Sequence, residues 1–428
     1  MSEPVDAIVI GAGIGGLAAA ICLRKAGAEA VLLEAEEPGG GAGAMWPVLD
    51  ALDPSLVKSL KLTRRGLKFE ERDLPTLSLR LDGRHLLLPR DPQRAARAIV
   101  AHSPEDARAY ERRHAEMFAL ARRLRPWWWE SANAPAGLPA RLAAVSAQAL
   151  VNSWFESEAF RATLLFDAPK ANQPGSALAL IWHAAQEMCG LQGARAIAQG
   201  GGVSLVDALM AAAKDEGVTL RSKARVTSIL LGADEAVGVV LASGEQIFAR
   251  TVVSSLSRRE TVLKLLPAAS AGIAETLRLL SASAGESETL VSVTLNGEPG
   301  LSGRGTGAMR YVVTEGEPAL EAVSVGGPVP GQHRLVVRAR GTAPAEAIVA
   351  RLERFSPHLG SRILDASRRM HTRCHPKLAA SASARISTPI RNLFLCGRDA
   401  EPLDSLSGRA GRLAAAMAMT ELQRMGHR

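Results

Sequence analysis

The run Gly11-Ala12-Gly13-Ile14-Gly15-Gly16 carries the clearest chemical signal in this 428-residue chain. Glycines at this spacing let backbone amides reach a pyrophosphate. Gly11 permits a tight turn, Gly13 a close approach to the ligand, and Gly16 close packing of a helix on its strand. Apolar Ala7 to Ile10 precedes the loop, helix-like Leu17 to Lys25 follows it, and Ala30 to Leu33 is a second apolar run. Strand, glycine turn, helix and strand predict that the phosphates meet the positive end of the helix. Glu34 ends the second strand eighteen residues after Gly16. A carboxylate there accepts both ribose hydroxyls and repels a 2′-phosphate, which selects FAD or NAD over NADP. The bland alternative is a glycine-rich turn that binds nothing.

Other reactive side chains are sparse. Taken alone, His183, beside Trp182, is most simply a satisfied structural histidine. His371, Cys374 and His375 resemble a metal site only superficially, since side chains along an extended segment diverge, and no metal is expected. Cys22, Cys189, Cys374 and Cys396 are far apart, so a dithiol mechanism is not expected. No Ser-His-Asp or paired-carboxylate pattern stands out, which suits chemistry carried by a cofactor that itself accepts a hydride. Trp127, Trp128 and Trp129 either bury against a helix or a second subunit, or line an apolar entrance or a membrane interface.

The elements that must position these residues divide into two sets. Gly200-Gly201-Gly202 leads into an amphipathic helix, Ser204 to Lys214, and strands are expected at Val218 to Leu220, Val226 to Leu231, Ala236 to Leu241 and Thr251 to Ser254. Near the end, Asn392 to Cys396 reads as a buried strand running into Gly397-Arg398-Asp399, with a helix from Gly408 to Met419. These distant segments favour FAD over NAD, because an extended flavin dinucleotide needs contacts from remote parts of a chain. Between them, Ser103-Pro104-Glu105-Asp106 opens a helix with a capping serine and acids in its first turn. Strands at Leu290 to Leu295, Ala322 to Val325 and Leu335 to Ala339, and a helix from Ala345 to Phe355, complete a mixed second domain. Length alone argues for two domains, with 1–75, 195–270 and 375–428 holding the dinucleotide and 76–194 and 271–374 the substrate. The net charge of +8 is scattered among acids, so no nucleic-acid surface is expected. The apolar run Val5 to Leu23 holds glycines and lacks a basic flank, so it reads as cytoplasmic fold core rather than a signal peptide.

Taken together, the opening motif, the stretch from Gly201 to Leu230, the stretch from Val252 to Pro267 and the segment Asn392 to Ala415 resemble the phytoene-desaturase-like FAD oxidoreductases. The resemblance implies an α/β fold: a Rossmann-like, glutathione-reductase-like FAD-binding domain with an inserted mixed α+β substrate domain. It implies that Gly11, Gly13, Ile14, Gly15, Gly16, Glu34 and Ala35 hold the ADP half, with Gly40 and Gly41 nearby and Arg225 and Val226 at the adenine. Ser254, Gly397, Arg398 and Asp399 are then expected along the dinucleotide, and Leu406, Ser407 and Gly408 at the isoalloxazine, where a helix N-terminus stabilises negative charge. The resemblance also brings the segment of Trp182 and His183 near the substrate cavity, which makes His183 the candidate acid or base near the flavin. It implies an apolar or amphipathic small-molecule substrate, with a homodimer and peripheral membrane contact as further expectations. Two segments depart from the family. Gly39 to Gly43 runs almost directly into Leu49-Asp50, about a dozen residues short by comparison with the family, and Glu401-Pro402-Leu403-Asp404-Ser405-Leu406 replaces a glycine-rich approach to the last helix. Those departures keep a second reading open, a non-catalytic binding protein on the same scaffold, as in the GDP-dissociation-inhibitor fold.

Overall fold

The computed structural model describes residues 3–36, 46–130, 137–268, 270–281, 286–301, 308–373, 380–401, 403 and 406–426. The opening strand, Val5–Ile10, is buried toward its end, and the helix Ile14–Lys25 that follows is alanine-rich and buried along most of its length. Small side chains let that helix lie close to the sheet and to the last helix, Arg409–Gly426, which carries its own alanine stripe. One sheet of seven strands is built around the opening strand. Ala30–Leu33 and Gln246–Ser254 flank it in parallel, Thr219–Arg221 continues one side, and Leu393–Leu395 runs parallel to Gln246–Ser254. An antiparallel meander, Val226–Gly232 and Glu235–Leu241, extends the sheet beyond Gln246–Ser254.

The parallel strands all point the same way, so Gly11, Glu34, Ser255 and Cys396 emerge at one edge. Ligands of open α/β sheets bind at such carboxyl ends.

A second seven-stranded sheet takes its strands from Thr76–Leu79 and Leu86–Leu88 and from 286–373. Glu286–Asn296, Leu320–Gly326 and Gln332–Arg340 pair antiparallel over long registers, and Arg310–Val313 pairs parallel with Thr76–Leu79. The helix Ala345–Glu353 packs on it through Ile348 and Leu352. Four further helices, Leu138–Ala143, Ala147–Trp154, Glu158–Leu165 and Ala177–Ala185, join the long helix Pro104–Trp129 in a bundle beside this sheet.

The long helix decides the alternatives for the tryptophans. Trp127, Trp128 and Trp129 are all buried, because the end of the helix is enclosed on several sides. Trp128 meets the edge of Trp182 at 5.3 Å, while Arg125 and Arg409 stack on Trp129 at 3.8 and 3.9 Å. The run is therefore core of this chain, and it lends no support to a membrane contact or a subunit interface. Among the described residues, no helix is long and apolar enough to cross a membrane. His371's side chain, Cys374 and His375 lie outside the described residues, as do Gly40 and Gly41.

Candidate active site

The glycine loop divides its work differently from a simple reading of the motif. Gly11 takes φ +88°, a left-handed conformation that glycine adopts at no steric cost. A Cβ on Gly16 would stand 1.9 Å from Gly11's carbonyl oxygen, and one on Gly15 would stand 1.9 Å from that of Cys396. Both glycines are demanded by packing of the helix onto neighbouring backbone. Gly13 is different: a Cβ there meets nothing nearer than Ser255 Oγ at 4.0 Å. Protein packing does not call for glycine at this position, and the open space in front of it suits a pyrophosphate.

Glu34 reaches back across the loop and accepts a hydrogen bond from the Ala12 amide at 2.6 Å, so its carboxylate stands at the mouth of the loop. Ala35 follows it, and Arg225 lies within 3.7 Å of Glu36 on the exposed rim, next to Val226 at the start of its strand. Gly397 sits where a Cβ would fall 2.4 Å from the carbonyl oxygen of Leu256. Asp399, just after Arg398, accepts from the Arg258 amide at 2.5 Å. Ile14 packs beside Gly408 against the first core.

Three expectations need correction. Ser254 is fully buried and its hydroxyl pairs with Thr261 Oγ1 at 2.8 Å, so it faces the core. The next residue, Ser255, faces the loop and donates to Gly11's carbonyl at 2.9 Å. At the last helix, the anion-stabilising N-terminus is already engaged. The Ala410 amide donates to Glu401 Oε1 at 2.7 Å, Ser407 Oγ donates to the same oxygen at 2.6 Å, and the Arg409 amide donates to Ser407 Oγ at 2.9 Å. Gly408 approaches Leu56 rather than open space, and Leu406 is half-buried against the first core. Glu401 replaces the family's glycine-rich approach and caps the helix with the protein's own carboxylate, the charge a helix N-terminus prefers.

The residue that sequence reasoning missed here is Arg409. It is buried, and none of its guanidinium nitrogens has a hydrogen-bond partner among the described residues. Burial pushes its pKa down to about 10, against the pull of Glu401 and Asp53. Gly411 was missed too: a Cβ there would stand 2.1 Å from Gly15's carbonyl oxygen, which locks the last helix against the first. Its spacing of three from Gly408 in an alanine-rich helix was the available signal.

His183 stands apart from the loop, on the helix Ala177–Ala185. It borders a cavity of about 160 Å³ between the helical bundle and the second sheet, and its Nδ1 is 3.8 Å from Asp50 Oδ2. Burial pushes its pKa below the ordinary histidine value, although Asp167 and Asp50 pull the other way. Behind it runs a chain of buried charges that the sequence did not reveal. Asp167 takes Arg195 at 2.7 Å and Arg310 at 2.5 Å. Arg310 also holds Glu321 at 2.5 Å, and Glu321 is shared with Arg338. Burial would raise both carboxyls, but the guanidinium groups outweigh it. Asp167 lies well below the usual carboxylate range and Glu321 is held at about 2.

Residues 6–256 match the model of the FAD dependent oxidoreductase family. The chain belongs to that family, and its dinucleotide is FAD. It is 29% identical over 318 residues to pyridine nucleotide-disulfide oxidoreductase domain-containing protein 2 of Rattus norvegicus, covering 61% of this chain and 55% of that protein. It is 33% identical over 279 residues to hydroxyneurosporene desaturase of Cereibacter sphaeroides, covering 58% and 55%. The chain thus spans about half the length of the curated relatives it matches. In fold it is similar to cyclohexylamine oxidase from Brevibacterium oxydans, with a TM-score of 0.65 at 19% identity over 99% of this chain and all of the other.

FAD fits the loop end of this site, where Gly13 leaves open space between Glu34 and Ser255. At the N-terminus of the last helix, the buried guanidinium of Arg409 has no hydrogen-bond acceptor among the described residues.

Proposed function

We propose that the chain is an FAD-dependent dehydrogenase, desaturase or oxidase acting on an amphipathic or apolar small molecule. The observation that carries the reading is Gly13, a glycine that no packing contact requires, set where five parallel strands end. FAD, when bound, supplies a hydride acceptor at flavin N5. The protein's part is to hold it, to orient the substrate and to exclude water. Gly11, Gly13, Gly15 and Gly16 bring the loop amides to the pyrophosphate, Glu34 takes the ribose hydroxyls, and Gly397 and Asp399 follow the chain of the cofactor.

In this reading the cavity beside His183 is the substrate chamber. Its aromatic residues limit water, and neutral His183 accepts or returns a proton, with the Asp50 carboxylate 3.8 Å from Nδ1 favouring the protonated ring through its charge rather than a hydrogen bond. We assign 1–75, 195–270 and 375–428 to the FAD-binding part and 76–194 and 271–374 to the substrate part, a division that the separation of the strands into two large sheets supports. Free thiols at Cys22, Cys189 and Cys396 support a reducing, cytoplasmic compartment.

The test is the visible spectrum of the purified protein, with the released cofactor identified by mass. FAD at near one-to-one amount supports the reading and permits a substrate screen by flavin bleaching. A colourless protein that takes up no added FAD sinks it, and leaves the non-catalytic binding protein in its place.

A further inference from the structure

The cavity beside His183 has a charge arrangement that selects among substrates. We infer that it takes a small carboxylate-bearing molecule with a single-ring or short alkyl body, and discriminates against the corresponding amine. This rests on the cavity being the substrate chamber proposed above.

The acids of its wall are already committed. Asp73 holds Arg90 at 3.0 Å, and Asp167 holds both Arg195 and Arg310. Asp50 lies behind His183 and outside the lining. The two histidines of the wall add no charge at neutral pH, since burial pushes His114 down to about 4 and lowers His183 as well. An entering ammonium group therefore meets four guanidinium groups and no unpaired carboxylate, and exchanges its hydration for aromatic ring faces alone.

Donors, by contrast, remain. Arg113 stacks 5.5 Å from the centre of Trp154, and its Nε–H is buried with no hydrogen-bond partner among the described residues. Its NH1 reaches only Glu116, a half-exposed neighbour one turn along the helix and a weak competitor in water. A guanidinium with an unmatched N–H beside an aromatic ring is suited to a carboxylate oxygen. Trp154, Phe118 and Leu180 supply the apolar wall against which the body of such an acid would rest.

Size sets a second limit. The half-open cavity, about 160 Å³, is comparable in volume with an engineered cavity of about 150 Å³ that accepts benzene. One ring fills it.

The experiment uses the full chain as purified and titrates it with phenylacetate, phenethylamine and 2-phenylethanol, read by tryptophan fluorescence and calorimetry. Phenylacetate is expected to bind at least about tenfold more tightly than phenethylamine, the scale of one charge-assisted contact. In Arg113→Leu this preference collapses while 2-phenylethanol binding stays within about threefold. Arg113→Lys, which keeps the charge without the planar fork, covers the case in which the leucine variant fails to fold, and is expected to lose part of the preference. Equal or tighter binding of phenethylamine, no binding of any probe, or a preference that survives both substitutions overturns the inference. FAD content is measured on the same samples. Acid selectivity in a protein unable to take FAD sinks the oxidoreductase reading alone, and an FAD-loaded protein without the selectivity sinks the inference alone.

Discussion

Replacing Gly13 and Gly16 separately by alanine divides ligand binding from folding. At Gly13 the backbone has φ −66° and ψ 172°, which alanine adopts freely, and the new methyl group finds no neighbour closer than 4.0 Å. Losing glycine at a helix N-cap costs a few tenths to about 1 kcal/mol, and reducing the freedom of the unfolded chain returns about 0.4–1 kcal/mol. The FAD-free stability of Gly13→Ala should therefore stay within about 0.5 kcal/mol of the parent. Its FAD affinity should not. Displacing the pyrophosphate from the loop amides removes at least one charge-assisted hydrogen bond worth about 1.5–3 kcal/mol, a loss of about 10- to 150-fold. Gly16→Ala places the methyl group 1.9 Å from a carbonyl oxygen that cannot move without shifting the turn, so it should destabilise the fold by about 3 kcal/mol or more even without FAD. Urea melts of the FAD-free proteins and FAD titration followed by flavin fluorescence separate the two effects. If Gly13→Ala keeps the parent's FAD affinity, or loses several kcal/mol of stability on its own, the open space at Gly13 is not the pyrophosphate site.

Three further outcomes follow from the same structure. His183→Gln should lower turnover by about 10²–10⁴ and remove the acid limb of the pH–rate profile, which for the parent should fall below the ordinary histidine range; a profile unchanged by the substitution would show that His183 has no acid–base role. Glu321, lowered by its arginines from 4.5 to about 2, contributes stability that is present above about pH 4.5 and lost as the pH falls toward 2, so the melting temperature should drop steeply across that window. Arg310→Met should cost about 3–5 kcal/mol at neutral pH and flatten the drop, as scanning calorimetry at several pH values would record. Glu401→Gln should weaken the cap of the last helix by about 1–2 kcal/mol, seen as a lower urea midpoint with unchanged slope; no loss would mean that the carboxylate is not what satisfies that helix end.

The first β-turn-α unit was legible because its signals are local. Strand period, glycine spacing and the distance to Glu34 all lie within about thirty residues, and the structure runs Val5–Ile10, Ile14–Lys25 and Ala30–Leu33 where the pattern put them. Three strands of the second sheet, Glu286–Asn296, Leu320–Gly326 and Gln332–Arg340, and the helix Ala345–Glu353 were equally plain, since alternation and amphipathic spacing belong to each element by itself, whereas its other four strands, Thr76–Leu79, Leu86–Leu88, Arg310–Val313 and Ile363–Arg373, were not read. The four short helices between 138 and 185 were not, because they mix small, aromatic and polar residues without a long period.

What the sequence determined by itself was a dinucleotide loop and the approximate elements around it, because glycine conformation and apolar periodicity act over neighbouring residues. Only the tertiary structure decided which glycines serve packing and which serves a ligand, since Gly15 is excluded from having a side chain by Cys396, nearly four hundred residues away. It likewise decided that Glu401 caps the last helix, that three consecutive tryptophans are interior, and that Asp167, Arg310 and Glu321 form one buried chain. Each of these depends on the distance between side chains remote in sequence. Burial and charge pairing are properties of the folded neighbourhood, and no spacing along the chain encodes them.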